Sequence, residues 1–342
     1  MAQETIIRLG DSKVVLKEFR DNSIDMLCCD PPFGYSFMNK GWDKVLPDVN
    51  IWRECFRVLK PGAFITVMAA PRTDVLWRIS RDLEEAGFDL SFSNIEWVYH
   101  SGFPKASDVS KMIDKREGAE RKIIGENPYN KVRGRSQSWE NGLEGLQGSS
   151  NITTAATDLA KKYEGSKAGF QPKPSREIII VGMKPFAEGS YIDKVLNFEA
   201  LPDNIKMTYP LIQTPKPAKK EKDFGLSGEE QKKPQRDEGQ ENFNVPHKNR
   251  PTTAKNNHPT VKPIKLMSYL ITLFTRPGDW VLDPFGGSGT TGLACKLLDR
   301  NHIYIDFTQE YYDIAEERFK VSKQDLKKLL KEKISSGQQE LF

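Results

Sequence analysis

Apolar residues along this chain fall into short runs separated by polar, helix-spaced stretches, and the alternation predicts a strand–loop–helix repeat. Thr5 to Leu9 reads as a first strand ending at Gly10-Asp11, and Ser12 to Phe19 as a short helix before the Asp21-Asn22-Ser23 turn. Ile24-Asp25-Met26-Leu27-Cys28-Cys29 has the length and continuity of a buried strand. Trp52 to Leu59 shows helical spacing, Lys60-Pro61-Gly62 is a turn signal, and Ala63 to Ala69 is a strand. Thr73 to Ala86 is an amphipathic helix stopped by Gly87, and Phe88 to Tyr99 reads as one or two strands. Such a repeat predicts a parallel-rich, doubly wound α/β sheet.

The pattern breaks at Gly102. From Pro104 to about Pro174 the chain is polar, Gly-rich and basic, and it interleaves cations with aromatics between Tyr129 and Trp139, including Lys131, Arg133 and Arg135. That mixture suits a nucleic-acid surface, though a solvated insertion would look the same. Strand character returns at Glu177-Ile178-Ile179-Ile180-Val181-Gly182. Residues 214–257 are rich in Lys, Glu, Gln, Pro and Asn, which predicts a flexible linker or loosely ordered loop. Ile264 to Thr275 has helical spacing behind Pro263, and Gln309 to Phe319 is a helix with one apolar face. The tail from Ser322 to Ile334 is strongly charged but carries Leu326, Leu329 and Leu330 on one stripe. It reads as a partner helix or a solvated end.

With 342 residues the chain holds one large domain plus an insertion, or two domains. A net charge of +4 is only mildly basic, so any nucleic-acid footprint is a local patch. The four cysteines, Cys28, Cys29, Cys55 and Cys295, have no metal-like spacing, and no metal site is expected. No signal peptide or membrane-spanning run is evident, so reduced thiols and a cytoplasmic setting are expected.

Two stretches carry chemistry. Asp30-Pro31-Pro32-Phe33 follows the second strand, and two prolines force the chain out of the sheet there. The loop offers a carboxylate, free carbonyls and an aromatic face at a strand's carboxyl end, where open α/β sheets place ligands. Those groups suit a flat base with an exocyclic amine: Asp30 and the Pro31 carbonyl accept from the NH2, and Phe33 stacks on the ring. Downstream, Val281-Leu282-Asp283-Pro284-Phe285-Gly286-Gly287-Ser288-Gly289-Thr290-Thr291 runs from a strand through a Gly-rich turn into a helix ending at Leu298. It is not a phosphate-binding P-loop, because no Gly-Lys-Ser/Thr follows. It can hold the amino-acid end of S-adenosylmethionine. A further strand, His302 to Ile305, ends at Asp306, placed to accept from ribose hydroxyls.

Together with Leu9-Gly10-Asp11, Arg57 to Gly62, Ser101 to Lys105 and His258-Pro259-Thr260-Val261-Lys262-Pro263, these motifs resemble a DNA amino-methyltransferase of the β arrangement, many of them from phages and prophages. In that arrangement the catalytic motif precedes the cofactor motif. The resemblance implies an α/β fold, a Rossmann-like mixed seven-stranded sheet of the S-adenosylmethionine-dependent methyltransferase type with an inserted target-recognition region. It divides the chain into a catalytic half (1–103), a target-recognition insertion (104–175), a return strand and sheet edge (176–213), the polar linker (214–257), a cofactor half (258–320) and a charged tail (321–342).

It also implies roles. Asp30, Pro31, Pro32 and Phe33 are catalytic. Asp11, Thr260, Lys262, Asp283, Phe285, Gly286, Gly287, Ser288, Gly289, Thr290 and Asp306 bind S-adenosylmethionine, with Thr260 and Lys262 facing the methionine carboxylate. Asp11 reads equally as a helix cap, and His258 as a loop histidine with no catalytic task. Tyr304 stands where relatives usually carry glycine, which bears on the shape of the adenosine pocket. Lys131, Arg133 and Arg135 contact double-stranded DNA in a bacterial or phage-infected cell, and a homodimer is a further partnering. An Asp at the head of the loop favours adenine N6 over cytosine N4. An inactive DNA-binding relative, or methylation of RNA or protein, are the rival readings. A cytosine-C5 mechanism is excluded because no cysteine follows a proline.

Overall fold

A computed structural model of the chain describes residues 3–34, 45–99, 107–126, 151–168, 175–186, 209–228, 231–232 and 253–334. The chain divides into two units, one formed by 1–99, 176–232 and 253–342 and the other by 100–175 and 233–252.

The first unit is built on one sheet. Its strands are β1 (Thr5–Leu9), β2 (Ile24–Cys29), β3 (Leu59–Ala69), β4 (Ile95–Val98), β5 (Arg176–Met183), β6 (Leu211–Gln213), β7 (Trp280–Asp283) and β8 (Asn301–Asp306). They lie in the order β1-β8-β7-β2-β3-β5-β4-β6. From β1 to β3 every pairing is parallel, while β5 runs antiparallel to both of its neighbours. Among the described residues the sheet therefore has eight strands rather than the expected seven. The return strand β5 is not at the edge, because β4 and the short β6 continue the sheet beyond it. Lys60-Pro61-Gly62, read as a turn, is instead absorbed into β3. Gly62 takes φ 84° there, and the register with β2 shifts.

Side-chain alternation along these strands divides the core in two. Leu27 and Cys29 of β2, with Ile65 and Val67 of β3, point to one face. There they pack on α2 (Val49–Val58) through Trp52 and Cys55, and on α3 (Thr73–Glu85) through Val75, Ile79 and Leu83. Met26, Cys28, Phe64 and Met68 point to the other face and meet Leu266, Leu270 and Ile271 of the helix Ile264–Phe274. Burial on both faces is why the strands read as continuous apolar runs. The two adjacent cysteines are accordingly core residues on opposite faces. Burial pushes the Cys28 thiol up to about 12, so it is inert at neutral pH.

Two stretches depart from their sequence reading. The charged tail forms a helix, Lys323–Ile334, whose stripe is satisfied by its own chain: Leu326 and Leu329 are buried against Ile264 and Leu293. Residues 214–228, expected to belong to a flexible linker, are seated on the same unit. Glu221 is 1% exposed, and its carboxylate accepts from the Ile264 amide at 2.7 Å. Asp223 accepts from the Asn256 amide at 2.9 Å. The polarity of Glu221 and Asp223 reflects hydrogen bonding to the Ile264 helix start and to Asn256. Among the described residues no helix is long and apolar enough to cross a membrane.

In the second unit the helix Val109–Arg116 is tied to Thr157, at the head of the helix Asp158–Lys162, by one carboxylate. Asp114 accepts from the amides of Ala156 and Thr157, the Thr157 hydroxyl and Arg121. Burial opposes its ionisation, but those donors hold its pKa at about 2, below the ordinary 3.8. Because the folded value is depressed, the stability Asp114 contributes is present above the unfolded range and is lost as pH falls through the folded value. Asp114→Ala is expected to lower the thermal midpoint more at neutral pH than near pH 2; an equal drop at both would count against this linkage.

Candidate active site

Three neighbouring parallel strands, β2, β7 and β8, end on the same side of the sheet, and each delivers a carboxylate there. Asp30 follows the last residue of β2, and Asp283 and Asp306 close β7 and β8. After Asp30 the chain leaves the sheet through buried Pro31 and half-buried Pro32. Phe33 packs against the core cluster of β2 and α2, and Gly34 turns with φ 71°. The aromatic segment beyond it, from Tyr35 to Trp42, lies outside the described residues, as do Lys131, Arg133 and Arg135.

The glycine-rich turn after β7 is fixed by hydrogen bonds at both ends. Asp283 accepts from the Phe285 amide at 3.1 Å and the Thr291 hydroxyl at 2.5 Å. Asp306 accepts from the Gly287 amide at 2.9 Å and the Thr308 amide at 2.8 Å. Gly287 and Gly289 take φ 49° and 76°, conformations that side chains disfavour. A Cβ at Gly287 would come within 2.7 Å of His258 Nε2, and one at Gly289 within 2.8 Å of the Phe319 ring. The turn opens into the helix Thr290–Leu298, whose cap residue Gly289 supplies no side chain. The Thr290 hydroxyl is buried with no hydrogen-bond partner.

Tyr304 packs its ring under Gly286, and its hydroxyl donates to the Gly287 carbonyl at 2.8 Å. Phe285 turns its ring toward Trp52, 5.4 Å away. Ser288 accepts from the buried Arg318 guanidinium through both its carbonyl and its hydroxyl. Thr260 donates its amide to His258 Nδ1 at 3.4 Å, and the His258 ring stands edge-on to Tyr311. Asp11 is exposed and caps the short helix Ser12–Val15 through the Lys13 amide at 2.9 Å.

Lys262, expected with Thr260 to face the methionine carboxylate, pairs its ammonium with Asp30 and lies 3.5 Å from Glu177 at the start of β5. Burial works against its charge, but the two carboxylates outweigh it and raise its pKa. For Asp283 burial prevails: with Asp30 and Asp306 nearby, it pushes the carboxyl up to about 7. For an acid shifted upward, ionisation destabilises the fold as pH rises from the ordinary 3.8 toward that value. Carboxyl-carbon nuclear magnetic resonance is expected to show Asp283 titrating near neutrality; a midpoint in the ordinary carboxylate range would refute it.

Sequence reasoning missed Glu177, Ser12, Glu221 and Arg318 as parts of this framework. The Ser12 hydroxyl donates to the Pro284 carbonyl at 2.5 Å, joining the β1 turn to the glycine turn. Two of these residues left a signal. Glu177 is a lone acid heading an apolar strand, and Arg318 falls on the buried helix face that also holds Tyr311 and Ala315.

A family model described as DNA methylase matches residues 24–317. The chain is 46% identical over 77 residues to the Type II methyltransferase M2.MboI of Moraxella bovis, covering 22% of this chain and 28% of that protein. It is 51% identical over 61 residues to the Type II methyltransferase M2.DpnII of Streptococcus pneumoniae, covering 18% of this chain and 23% of the relative. The matched stretch thus spans about a quarter of those curated relatives. Among solved structures, the PvuII DNA methyltransferase (cytosine-N4-specific) is 18% identical, with a TM-score of 0.50 over 99% of this chain and 95% of that one. That likeness speaks to the fold.

Proposed function

Since the chain belongs to the DNA methylase family of the N6-adenine and N4-cytosine type, we propose that it methylates the exocyclic amine of a base in double-stranded DNA, using S-adenosylmethionine. The observation that carries this reading is the adjacency of Asp30, at the end of β2, to the Gly286–Gly289 turn that follows the neighbouring strand β7. An amine acceptor and a cofactor cradle then share one edge of the sheet.

The residues fit that cofactor. The turn has no room for side chains, the helix Thr290–Leu298 presents uncapped amides, and the Thr290 hydroxyl awaits a partner. A carboxylate suits such a helix start. Asp283, Phe285 and the 286–290 backbone would hold the amino-acid end. Asp306 keeps lone pairs for the ribose beyond those it gives to Gly287 and Thr308. Asp11 follows Gly10, whose amide donates to the Asp306 carbonyl at 2.9 Å, and Thr260 lies beside His258. When bound, S-adenosylmethionine supplies a sulfonium methyl: its carbon–sulfur bond breaks with the electron pair left on sulfur, and the amine lone pair forms the new nitrogen–carbon bond.

The amine is a poor nucleophile because its lone pair is delocalised into the ring. Asp30 and the Pro31 carbonyl accept its N–H bonds, concentrate the lone pair toward the methyl group, and Asp30 takes up the proton that leaves. Phe33 stacks on the base, which flips out of the duplex at a cost of a few kcal/mol. Lys131, Arg133 and Arg135 supply phosphate contacts, a salt-dependent contribution to DNA affinity.

Adenine N6 is the base we favour, because in enzymes that this chain resembles an Asp at the head of the loop accompanies adenine more often than cytosine. Nucleoside mass spectrometry of DNA treated with the purified protein is expected to show N6-methyladenine. N4-methylcytosine alone would overturn the base. Neither product, with cofactor bound, would overturn the reaction in favour of RNA, protein or an inactive binder.

A further inference from the structure

Glu177, Lys262 and Asp30 come from three distant parts of the chain and meet in one charged row at the carboxyl end of the parallel strands. Lys262 is 7% exposed, with the Asp30 side chain 18% and the Glu177 side chain 13% exposed. The ammonium is bonded to Asp30 Oδ2. Its distance of 3.5 Å to Glu177 is too long for a good hydrogen bond, yet within reach of a small rotation of the side chain.

We propose that Lys262 is a movable stand-in for the substrate amine: it holds Asp30 before the base arrives and passes to Glu177 as the base takes its place. This rests on the methyl transfer proposed above. An ammonium offers N–H donors to Asp30 just as an exocyclic amine does. Its contact with Asp30 Oδ2 fills a direction from which the amine would donate, and in the exchange the lysine yields that direction to the base. A buried ammonium cannot be left without an anion, because losing its partner costs about 3–5 kcal/mol. Glu177 answers that need at the head of β5, 3.5 Å from the ammonium. Burial, with the Glu177 charge nearby, opposes ionisation of the Tyr99 hydroxyl. The three charged groups leave the row with one net negative charge in either position of the lysine, so the exchange moves charge without burying more of it. Lys262 and Glu177 are positioning residues here, and of the three charged groups Asp30 is the one that touches the amine.

The exchange predicts that one substitution repairs another. In Glu177→Gln the ammonium has no second anion and stays on Asp30, so kcat/KM for DNA methylation is expected to fall about tenfold or more. Removing the ammonium as well, in Lys262→Met with Glu177→Gln, lifts the block, and the double variant is expected to be at least about threefold faster than Glu177→Gln. Initial rates on DNA of diverse sequence with labelled S-adenosylmethionine measure both. Calorimetric binding of the cofactor selects folded variants, with Lys262→Gln replacing Lys262→Met if the latter is insoluble. A double variant as slow as Glu177→Gln, or Glu177→Gln as fast as wild type, overturns the exchange while the methyltransferase reading stands. A wild-type protein that binds the cofactor but methylates no DNA overturns that reading first.

Discussion

Asp30→Ala is expected to abolish methyl transfer, by about a thousandfold or more, while S-adenosylmethionine binds within about threefold of its wild-type affinity. The separation follows from the layout of the site. Asp30 lies on β2, and the hydrogen bonds that shape the glycine turn are made by Asp283 and Asp306 on β7 and β8. Removing the Asp30 carboxylate takes away the acceptor for the amine but none of the donors and acceptors that hold the turn. Lys262 keeps Glu177 as a counter-ion, so the fold survives the loss. Asp30→Asn is the control with the same shape, and it should be nearly as inactive, because an amide oxygen concentrates the lone pair far less than a carboxylate. Single-turnover transfer and calorimetry with the cofactor are the measurements. An Asp30→Ala protein that is folded but has lost cofactor affinity in step with activity would show that Asp30 belongs to the cofactor site.

Gly286→Ala is expected to destabilise the protein by about 3 kcal/mol and to weaken cofactor binding at least tenfold, although it adds a single methyl group. A Cβ at that position would lie 2.1 Å from the Tyr304 ring. The ring has nowhere to go: Tyr304 is fully buried, and its hydroxyl is committed to the Gly287 carbonyl. Relief must come from the backbone of the turn, which is the cradle itself. Tyr304→Ala costs packing on its own, yet should make the double variant with Gly286→Ala more stable than the sum of the two losses. Denaturant unfolding of the four proteins gives the coupling. Strict additivity would mean that the added methyl does not press on the Tyr304 ring.

The sequence made some of this legible and hid the rest for physical reasons. The Asp30 loop and the glycine turn could be read because proline and glycine act locally: one ends a ladder, the other permits a positive φ. The doubly wound sheet could be read because strands buried on both faces leave unbroken apolar runs. Leu326 and Leu329 announced an apolar stripe on the tail, but a stripe does not name its partner, and the partner is Ile264 with Leu293. The segment around Glu221 looked solvated because its polar groups bind helix ends, and composition cannot tell a satisfied polar group from a hydrated one. The Lys262 pairing was hidden for a stronger reason. Asp30, Glu177 and Lys262 are neighbours only because the strand order is not the chain order.

That strand order also sets a timetable for synthesis. The catalytic strand β2 finds β3 soon after it emerges, but its other neighbour, β7, is made only after residue 280. β1 waits longer still, since Thr5 to Leu9 pair with His302 to Asp306. Until β7 and β8 have been made, the ribosome-bound chain carries β2 with one edge open and β1 with no sheet partner. Such edges invite pairing with other chains, and long-range parallel pairing is intrinsically slow. The arrangement that brings the Asp30 loop beside the glycine turn therefore keeps the edges of β1 and β2 open until residues 280–306 have emerged.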